Sequence, residues 1–410
     1  MPVRASWFVV PGALWALTTL ACAAGGETVE APEEARPLTP EELKERAIEA
    51  RSSELGAWVE ATERAAEANP EDLEVQKMLA EAMRKAKNLD RAADALDAVL
   101  KLAPRELQTY RELAEVCVLK GDGQRAMSVA RRGLAHHGSD ARLYMLEARG
   151  ALVARDFDAA LAALETATQL APENAGAWLL LGQTLERQGD YNSAQKAFEK
   201  AVRFQPDLGP AYAGLGHCLL KLGKGGDAAS VLARGLKLVP DSPEILYAAS
   251  RIALHDGRNA EAATLLERYT AMKAGDWRGS FSLGLARLRQ GNADGALLAF
   301  TKAAALNAES PELQFDLAMT HSRLGSHEAA LSALDAAIKA RYSLWLARCE
   351  RGRVLVRMGR PDDARTAFAK ASEQNPQCAL AKRMAREMVL SDAVLLAALP
   401  CGPPDLDISD

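Results

Sequence analysis

Aromatic and basic side chains recur at a fixed interval of 34 residues in the second half of this 410-residue chain. The aromatic set is Tyr247, Phe281 and Phe315, and the basic set at the same interval is Arg187, Lys221, Arg289 and Arg323. Arg251 follows Tyr247 by four residues, about one turn of a helix. Aromatic rings and guanidinium groups are the side chains that most often anchor protein interfaces, so this pattern indicates binding.

Catalytic chemistry has no comparable pattern. The sequence contains no Gly-rich phosphate loop, no His-Glu-x-x-His motif and no paired Cys-x-x-Cys. His136 and His137 are adjacent, and adjacent side chains on a helix do not share a face. We therefore predict no catalytic residue, no metal site and no cofactor, and we expect neither an enzyme nor a small-molecule substrate.

The 34-residue interval extends far beyond these side chains. If Gly189 is position 15 of a unit, nine contiguous units span residues 73–378. Position 20 is then Ala in every unit, position 8 is always Ala, Gly or Ser, and position 15 is Gly except at Lys87 and Arg155. A register kept over this length indicates tandem repeats.

The repeated positions have direct physical roles. Small residues at positions 8 and 20 allow two antiparallel helices to cross closely. Gly at position 15 takes the left-handed conformation that ends the first helix, and Pro at position 32 of several units ends the second. Each unit is therefore predicted to be a helix hairpin that covers the apolar face of its neighbour.

Two charged residues conflict with this pattern. Glu147 and Arg351 occupy position 7, where a buried apolar side chain belongs. A buried, unpaired charge costs several kcal/mol. We therefore expect each of them to have a charged partner or to reach solvent along its stem.

The unit that starts at residue 175 resembles the tetratricopeptide repeat at seven of the eight signature positions of that family. These are Trp178, Leu181, Gly182, Ala194, Phe198, Ala201 and Pro206. The resemblance covers residues 73–378 and implies an all-α, right-handed superhelical solenoid of helix hairpins. It also implies a concave groove lined by positions 2, 5, 9, 12 and 13 of the first helices.

The resemblance assigns the recurring side chains to this groove. Tyr247, Phe281 and Phe315 then form an aromatic stripe at position 5. The basic residues expected beside it are Arg251, Arg289 and Arg323, with Arg187 and Lys221 further along. Lys or Arg at position 13 also suits the carboxyl end of a helix, so a structural role for these residues stays open.

Two ligand classes of the family are not expected. The clamp for chaperone C-termini needs Lys at position 5 followed by Asn at position 9, but Lys77 is followed by Glu81. The asparagine ladder of the sugar-transferring members is missing as well. We expect an acidic, aromatic or Leu-bearing segment of a protein as the partner.

The first 38 residues differ in composition from the repeats. Residues 1–21 have a basic start, an apolar stretch and small residues near the end, as in a secretory signal. Cys22 after Leu20-Ala21 resembles a bacterial lipobox, which predicts a lipid anchor in the envelope, at the outer membrane facing the periplasm. Cleavage at Ala21-x-Ala23 to a soluble exported protein and an uncleaved membrane anchor stay open. Residues 22–38 are expected to form an acidic flexible tether.

The remaining segments are expected to cap the array. Residues 39–72 form a degenerate unit, with Trp58 at position 20 where Ala belongs. Residues 379–410 are expected to provide a capping helix and a tail.

The net charge of −5 and the pI near 5.9 disfavour nucleic acid as a partner. The sequence favours a non-enzymatic scaffold, an envelope lipoprotein that holds a partner segment during assembly of a surface or secretion complex. The alternative is a non-catalytic targeting or regulatory subunit for a separately encoded glycosyltransferase or peptidase.

Overall fold

The computed structural model describes residues 37–342 and 344–387, and this part of the chain contains 21 α-helices and no strand. The predicted all-α solenoid of helix hairpins is confirmed. None of the described helices has the length and the apolar character that crossing a membrane requires. The signal sequence, Cys22, most of the tether and residues 388–410 lie outside the described residues.

The helices form ten hairpins followed by a single helix. The first helices of the hairpins are α1 Pro40–Ala50, α3 Leu73–Lys85, α5 Leu107–Lys120, α7 Ala141–Val153, α9 Ala175–Arg187, α11 Gly209–Lys221, α13 Pro243–His255, α15 Trp277–Arg289, α17 Pro311–Arg323 and α19 Leu344–Arg357. The second helices are α2 Leu55–Ala68, α4 Leu89–Leu102, α6 Gly123–His136, α8 Phe157–Leu170, α10 Tyr191–Phe204, α12 Gly225–Leu238, α14 Asn259–Met272, α16 Ala293–Leu306, α18 His327–Lys339 and α20 Pro361–Gln374. The chain then continues into α21, Ala379–Glu387.

The two helices of each hairpin cross at a contact between small residues. The Ala at position 20 is fully buried in all nine regular units. Where position 24 is Phe, position 8 is Gly: a Cβ atom at Gly182 would lie 2.7 Å from Cε1 of Phe198, and Gly284 and Gly352 face Phe300 and Phe368 in the same way. The volumes of positions 8 and 24 therefore compensate each other across the crossing.

The first helix of every regular unit ends at a left-handed residue. The seven Gly residues at position 15 have φ between 70° and 82°, and Lys87 and Arg155 adopt φ of 59° and 61° at the same position. The N–H of Asn88 donates to the carbonyl of Met83 at 2.9 Å, as the N–H of Asp122 does to Cys117 at 2.9 Å. The turn is thus the same with or without Gly, and Lys87 and Arg155 carry the steric cost of a Cβ in this conformation.

The two charged residues at position 7 are paired, as expected. Nε of Arg131 donates to Glu147 at 2.6 Å, and Nε of Arg351 donates to Asp335 at 2.7 Å. In both pairs the partner precedes position 7 by 16 residues, on the second helix of the preceding unit. The same contact is therefore made twice with the signs of the two charges exchanged.

A large residue at a normally small position is accommodated by its neighbour. Tyr269 occupies position 27 of its unit, where the other units have Ala, Gly or Val. The next unit has Gly279 opposite it, where a Cβ atom would lie 2.5 Å from Cδ1 of the tyrosine ring. The hydroxyl of Tyr269 donates to the carboxylate of Asp276, which caps α15. The absence of a side chain at Gly279 thus creates the space for the tyrosine ring between α14 and α15.

The left-handed conformation of Lys87 and Arg155 predicts that Gly stabilises both positions. A Cβ in this conformation costs about 1–2 kcal/mol, and the greater freedom of Gly in the unfolded chain offsets about 0.4–1 kcal/mol of the gain. We expect Lys87→Gly and Arg155→Gly each to raise the free energy of unfolding by about 0.5–1 kcal/mol in denaturant titrations followed by circular dichroism. Gly121→Lys is the matched reverse substitution and should lower the free energy of unfolding. A change of the same sign for Lys87→Gly and Gly121→Lys would contradict a steric cost at position 15.

Candidate binding site on the first helices

A cavity of about 400 Å³ opens between the first helices α9, α11 and α13, which lie side by side in that order. More than half of its lining comes from positions 2, 5, 9 and 12 of these helices, which the family resemblance assigns to the groove, and Gly214 and Ala248 add position 6. We call this cavity the Ala213 pocket. Its lining is Gln183, Glu186, Phe198, Pro210, Ala213, Gly214, His217, Pro243, Glu244, Tyr247, Ala248, Arg251, Tyr269 and Lys273.

The pocket lies over two adjacent small residues of α11, Ala213 and Gly214. Ala213 is the smallest residue at position 5 in the array, between Leu179 and Tyr247 in the neighbouring units. Gly214 follows it, and a Cβ atom there would lie 2.5 Å from Cζ of Phe198. The ring of Phe198 lies directly beneath Gly214, so the phenylalanine of the preceding hairpin supports the floor of the pocket.

The pocket has an apolar level and a polar level, one helical turn apart. At the apolar level, Ala213 faces Tyr247, whose ring packs on that of Tyr269 with 5.1 Å between centroids. At the polar level, four residues further along each helix, His217 lies on α11 and Arg251 on α13. Four residues correspond to about 6 Å along a helix. A ligand in the pocket therefore meets an apolar surface and polar groups within one short distance.

His217 is held by a neighbouring helix and has one ring nitrogen without a partner. Its Nδ1 contacts Oε1 of Glu186 on α9, and since a carboxylate only accepts, Nδ1 carries the proton of this hydrogen bond. Its Nε2 is buried and has no hydrogen-bond partner among the described residues. Burying a polar atom without a partner costs free energy, so this nitrogen favours a ligand that supplies one.

Arg251 also lacks a partner. Its side chain is half-buried in the pocket and forms no hydrogen bond or ion pair within the described part of the chain. Neither carboxylate of the pocket pairs with Arg251, because Glu186 binds His217 and Glu244 accepts from the hydroxyl of Ser242 at 2.8 Å. The polar level therefore presents an unpaired guanidinium group.

The predicted aromatic stripe is not a continuous exposed surface. Phe315 is buried, with 9% of its surface exposed, and packs on Tyr342 at 5.9 Å between centroids. Phe281 and Tyr247 are half-buried. Phe281 packs on Trp277 and Phe300, and no ring contact joins two members of the stripe within the described residues. Equivalent residues lie on neighbouring helices whose axes are about 8–10 Å apart, so each ring contacts its own unit or an adjacent second helix instead.

The basic residues at position 13 connect neighbouring units. Arg289 donates to the carbonyl of Leu254 at 2.9 Å, and Arg323 approaches that of Leu288 at 3.5 Å. Arg357 donates to the hydroxyl of Ser322 at 2.8 Å. Each acceptor is at position 12 of the preceding unit, where a positive charge complements the carboxyl end of the helix. These contacts give Arg289 and Arg323 a structural role, while partner binding by them, and by the exposed Arg187 and half-buried Lys221, stays a prediction.

The groups that build the pocket were only partly visible in the sequence. Tyr247 and Arg251 were predicted groove residues, and both line it. The Glu186–His217 pair was not predicted, because its members are 31 residues apart and belong to different position classes. The sequence feature that could have indicated the pocket is the small side-chain volume at Ala213 and Gly214, since position 5 of the adjacent units carries Leu179 and Tyr247.

Family models match most of the chain. Models of the tetratricopeptide repeat match residues 59–106, 78–141, 151–217, 214–276, 281–347 and 349–385. The chain belongs to the tetratricopeptide repeat family. Members of this family are generally non-catalytic protein-binding scaffolds, which supports a protein-interaction role for this one. None of the curated proteins matches the chain.

Solved structures match the chain at low sequence identity. The APC/C hetero-tetramer Cut9–Hcn1 matches with 15% identity over 78% of this chain and 67% of the other, at a TM-score of 0.51, which supports the solenoid fold. PilF of Pseudomonas aeruginosa matches with 17% identity over 52% of this chain and 96% of its own, at a TM-score of 0.46. YrrB, described as a tetratricopeptide repeat protein with an unusual peptide-binding site, matches with 23% identity over 44% and 93% of the two chains, at a TM-score of 0.36.

A second unusual group lies on α17 of this tetratricopeptide repeat array. Asp316 is half-buried, and its Oδ2 is enclosed without a hydrogen-bond partner among the described residues. Burial raises the pKa of Asp316 to about 7, with a further contribution from the carboxylate of Glu312, while Arg289 acts in the opposite direction. The charged form of Asp316 is therefore unfavourable in the folded protein at neutral pH.

This environment predicts a pH-dependent stability. The pKa of Asp316 is higher in the folded chain than in the unfolded chain, so the folded state binds more protons between about pH 4 and pH 7. Stability falls as the pH rises through this window and remains lower above it. We expect Asp316→Asn to raise the free energy of unfolding by up to about 4 kcal/mol at pH 8 and by little at pH 4.

Unfolding curves at both pH values measure this difference. The exposed Asp207 provides the control, since Asp207→Asn should change stability little and equally at the two pH values. An effect of Asp316→Asn that is the same at pH 4 and pH 8 would show that its carboxyl group does not titrate between them.

Proposed function

We propose that this protein is a non-enzymatic scaffold that holds an extended segment of a partner protein in the groove formed by its first helices. The observation that carries the proposal is the Ala213 pocket, which lies on the groove face and contains an unpaired Arg251 and an unpartnered His217 nitrogen. Unsatisfied polar groups beside an apolar surface are suited to a ligand with a main chain and side chains.

The proposal includes a location. We propose that the mature chain is attached to the bacterial envelope through lipid on Cys22 and serves in assembly of a surface or secretion complex. The support is the sequence alone: a basic start, an apolar stretch and a lipobox-like Leu20-Ala21-Cys22. A tether of about 16 residues could reach at most about 55 Å, which would let the array extend from the membrane surface.

The groove proposal is tested by reversing charges on the groove face. We expect the double variant Arg251→Glu, Arg289→Glu to lower affinity for the partner by at least about 2 kcal/mol, because Arg251 lines the pocket, Arg289 is a predicted groove residue, and a reversed charge in an interface repels the group that it formerly attracted. The partner is cross-linked and captured from the envelope of the producing cell, identified, and then measured as a purified protein by calorimetry.

The matched control carries the same charge change on second helices. Arg203 and Arg365 are exposed and form no ion pair within the described residues. Arg203→Glu, Arg365→Glu should leave affinity unchanged. Equal losses for the two double variants, or a loss for the control only, would place the partner outside the groove. Circular dichroism of both variants shows whether the helices remain intact.

The location is tested through Cys22. We expect Cys22→Ser to move the protein from the membrane pellet to the soluble fraction, because the thiol is the site of lipid attachment and several acyl chains are needed for stable anchoring. Cys117→Ser, at a buried position of the array, is the control for replacement of a cysteine. A Cys22→Ser protein that still sediments with membranes would contradict lipid anchoring and favour an uncleaved apolar helix.

A further inference from the structure

The side chains of the Ala213 pocket restrict which chemical groups can bind there. The assignment of its occupant rests on the proposed function, in which the groove holds a partner segment. The two levels of the pocket differ in chemistry. The apolar level is formed by Ala213, Gly214, Tyr247 and Ala248, and the polar level by His217 and Arg251 with Gln183 and Glu186. The positions of the two levels are fixed by helices α11 and α13, so the spacing between them is fixed as well.

The apolar level has room for a large side chain. The whole pocket encloses about 400 Å³, and its apolar level has Ala213 at a position where the adjacent units carry Leu179 and Tyr247. The ring of Tyr247, tilted by 35° against that of Tyr269 with 5.1 Å between centroids, lines this space. A bulky aliphatic or aromatic side chain of the partner would bury apolar surface here, worth about 0.8 kcal/mol for each methylene group removed from water.

The polar level favours an anion. Arg251 has no partner within the described chain, and Lys273 at the edge of the pocket forms no side-chain ion pair there either. Glu186 is bound to His217, and Glu244 lies seven residues before Arg251 on α13, about 10 Å away along the helix. A carboxylate of the partner can therefore bind the guanidinium group of Arg251 without approaching Glu244 closely.

The unpartnered nitrogen of His217 fits the main chain between these side chains. Nδ1 donates to Glu186, so when the imidazole is neutral its Nε2 is an acceptor, and a peptide N–H is a suitable donor. The levels are separated by four helical residues, about 6 Å, while side chains at i and i+2 of an extended segment are about 6.6 Å apart. The two distances agree.

We infer that the Ala213 pocket recognises an extended partner segment in which a bulky apolar residue and an acidic residue are separated by one residue. The apolar side chain enters between Ala213 and Tyr247, and the carboxylate binds Arg251. His217, oriented by Glu186, accepts a hydrogen bond from the main chain between them. The occupant is thus a protein segment with this pattern.

A peptide array with two variable positions tests the inference. End-blocked nonapeptides of the form Gly-Ser-Gly-X-Ser-Z-Gly-Ser-Gly, with X and Z each varied over the 20 amino acids, cover both orders of the pair and contain no free terminal carboxylate. We expect the full chain to bind best where one position is Leu, Met, Phe, Tyr or Trp and the other is Asp or Glu. Replacing the acid by its amide should weaken binding about tenfold or more.

Two variants separate the two levels. Ala213→Leu fills the apolar level with the residue that the preceding unit has at the same position, so the helix should accept it, and it should abolish the apolar preference while the acid preference remains. Arg251→Gln should do the reverse. Ala233→Leu and Arg203→Gln make the same changes at exposed positions of second helices and should leave both preferences unchanged.

The outcomes distinguish this inference from the proposed function. Peptide binding whose preferences are unaffected by Ala213→Leu and Arg251→Gln would overturn the pocket assignment, while the groove function would still rest on the charge-reversal experiment. A preference for basic residues at X or Z would overturn the assignment of Arg251. A peptide array without any preference would overturn the inference, and only a failed charge-reversal experiment would overturn the proposed function as well.

Discussion

The close crossing of two helices at a small residue is the contact on which the whole array depends. The alanine at position 20 is completely buried in all nine regular units, and no larger side chain would fit without separating the helices. This crossing fixes how each first helix lies against its second helix, and stacking of hairpins then fixes the distance between neighbouring first helices. The dimensions of the groove, including those of the Ala213 pocket, are a consequence of it.

Where one side chain at a helix contact is unusually large, the residue that faces it is unusually small. Phe198, Phe300 and Phe368 face Gly at position 8, while Tyr269 faces Gly279 across a unit boundary. The pairs Glu147–Arg131 and Arg351–Asp335 obey the same rule for charge, since the sign at one position determines the sign at the other. A solenoid tolerates such variation because each contact involves only adjacent hairpins.

The sequence predicted the fold because the fold is determined by residues that repeat. Gly at position 15 and Ala at position 20 gave the hairpins, and even Lys87 and Arg155 obey the pattern in their backbone conformation. The site was predicted only in part, since it depends on what does not repeat. Phe315 is buried and packs on Tyr342, which stands at position 32 where several other units have Pro. The contact between Glu186 and His217 depends on the lateral distance between two first helices, which position numbers do not contain.

The arginines at position 13 affect how easily the groove can bend. Arg289, Arg323 and Arg357 each reach across one unit boundary to position 12 of the preceding first helix. Any bending that opens these boundaries on this face must break or stretch hydrogen bonds from charged donors, which are stronger than neutral ones. The second half of the array is therefore braced against widening, and a segment that lies across it loses its own freedom on binding while the protein loses little.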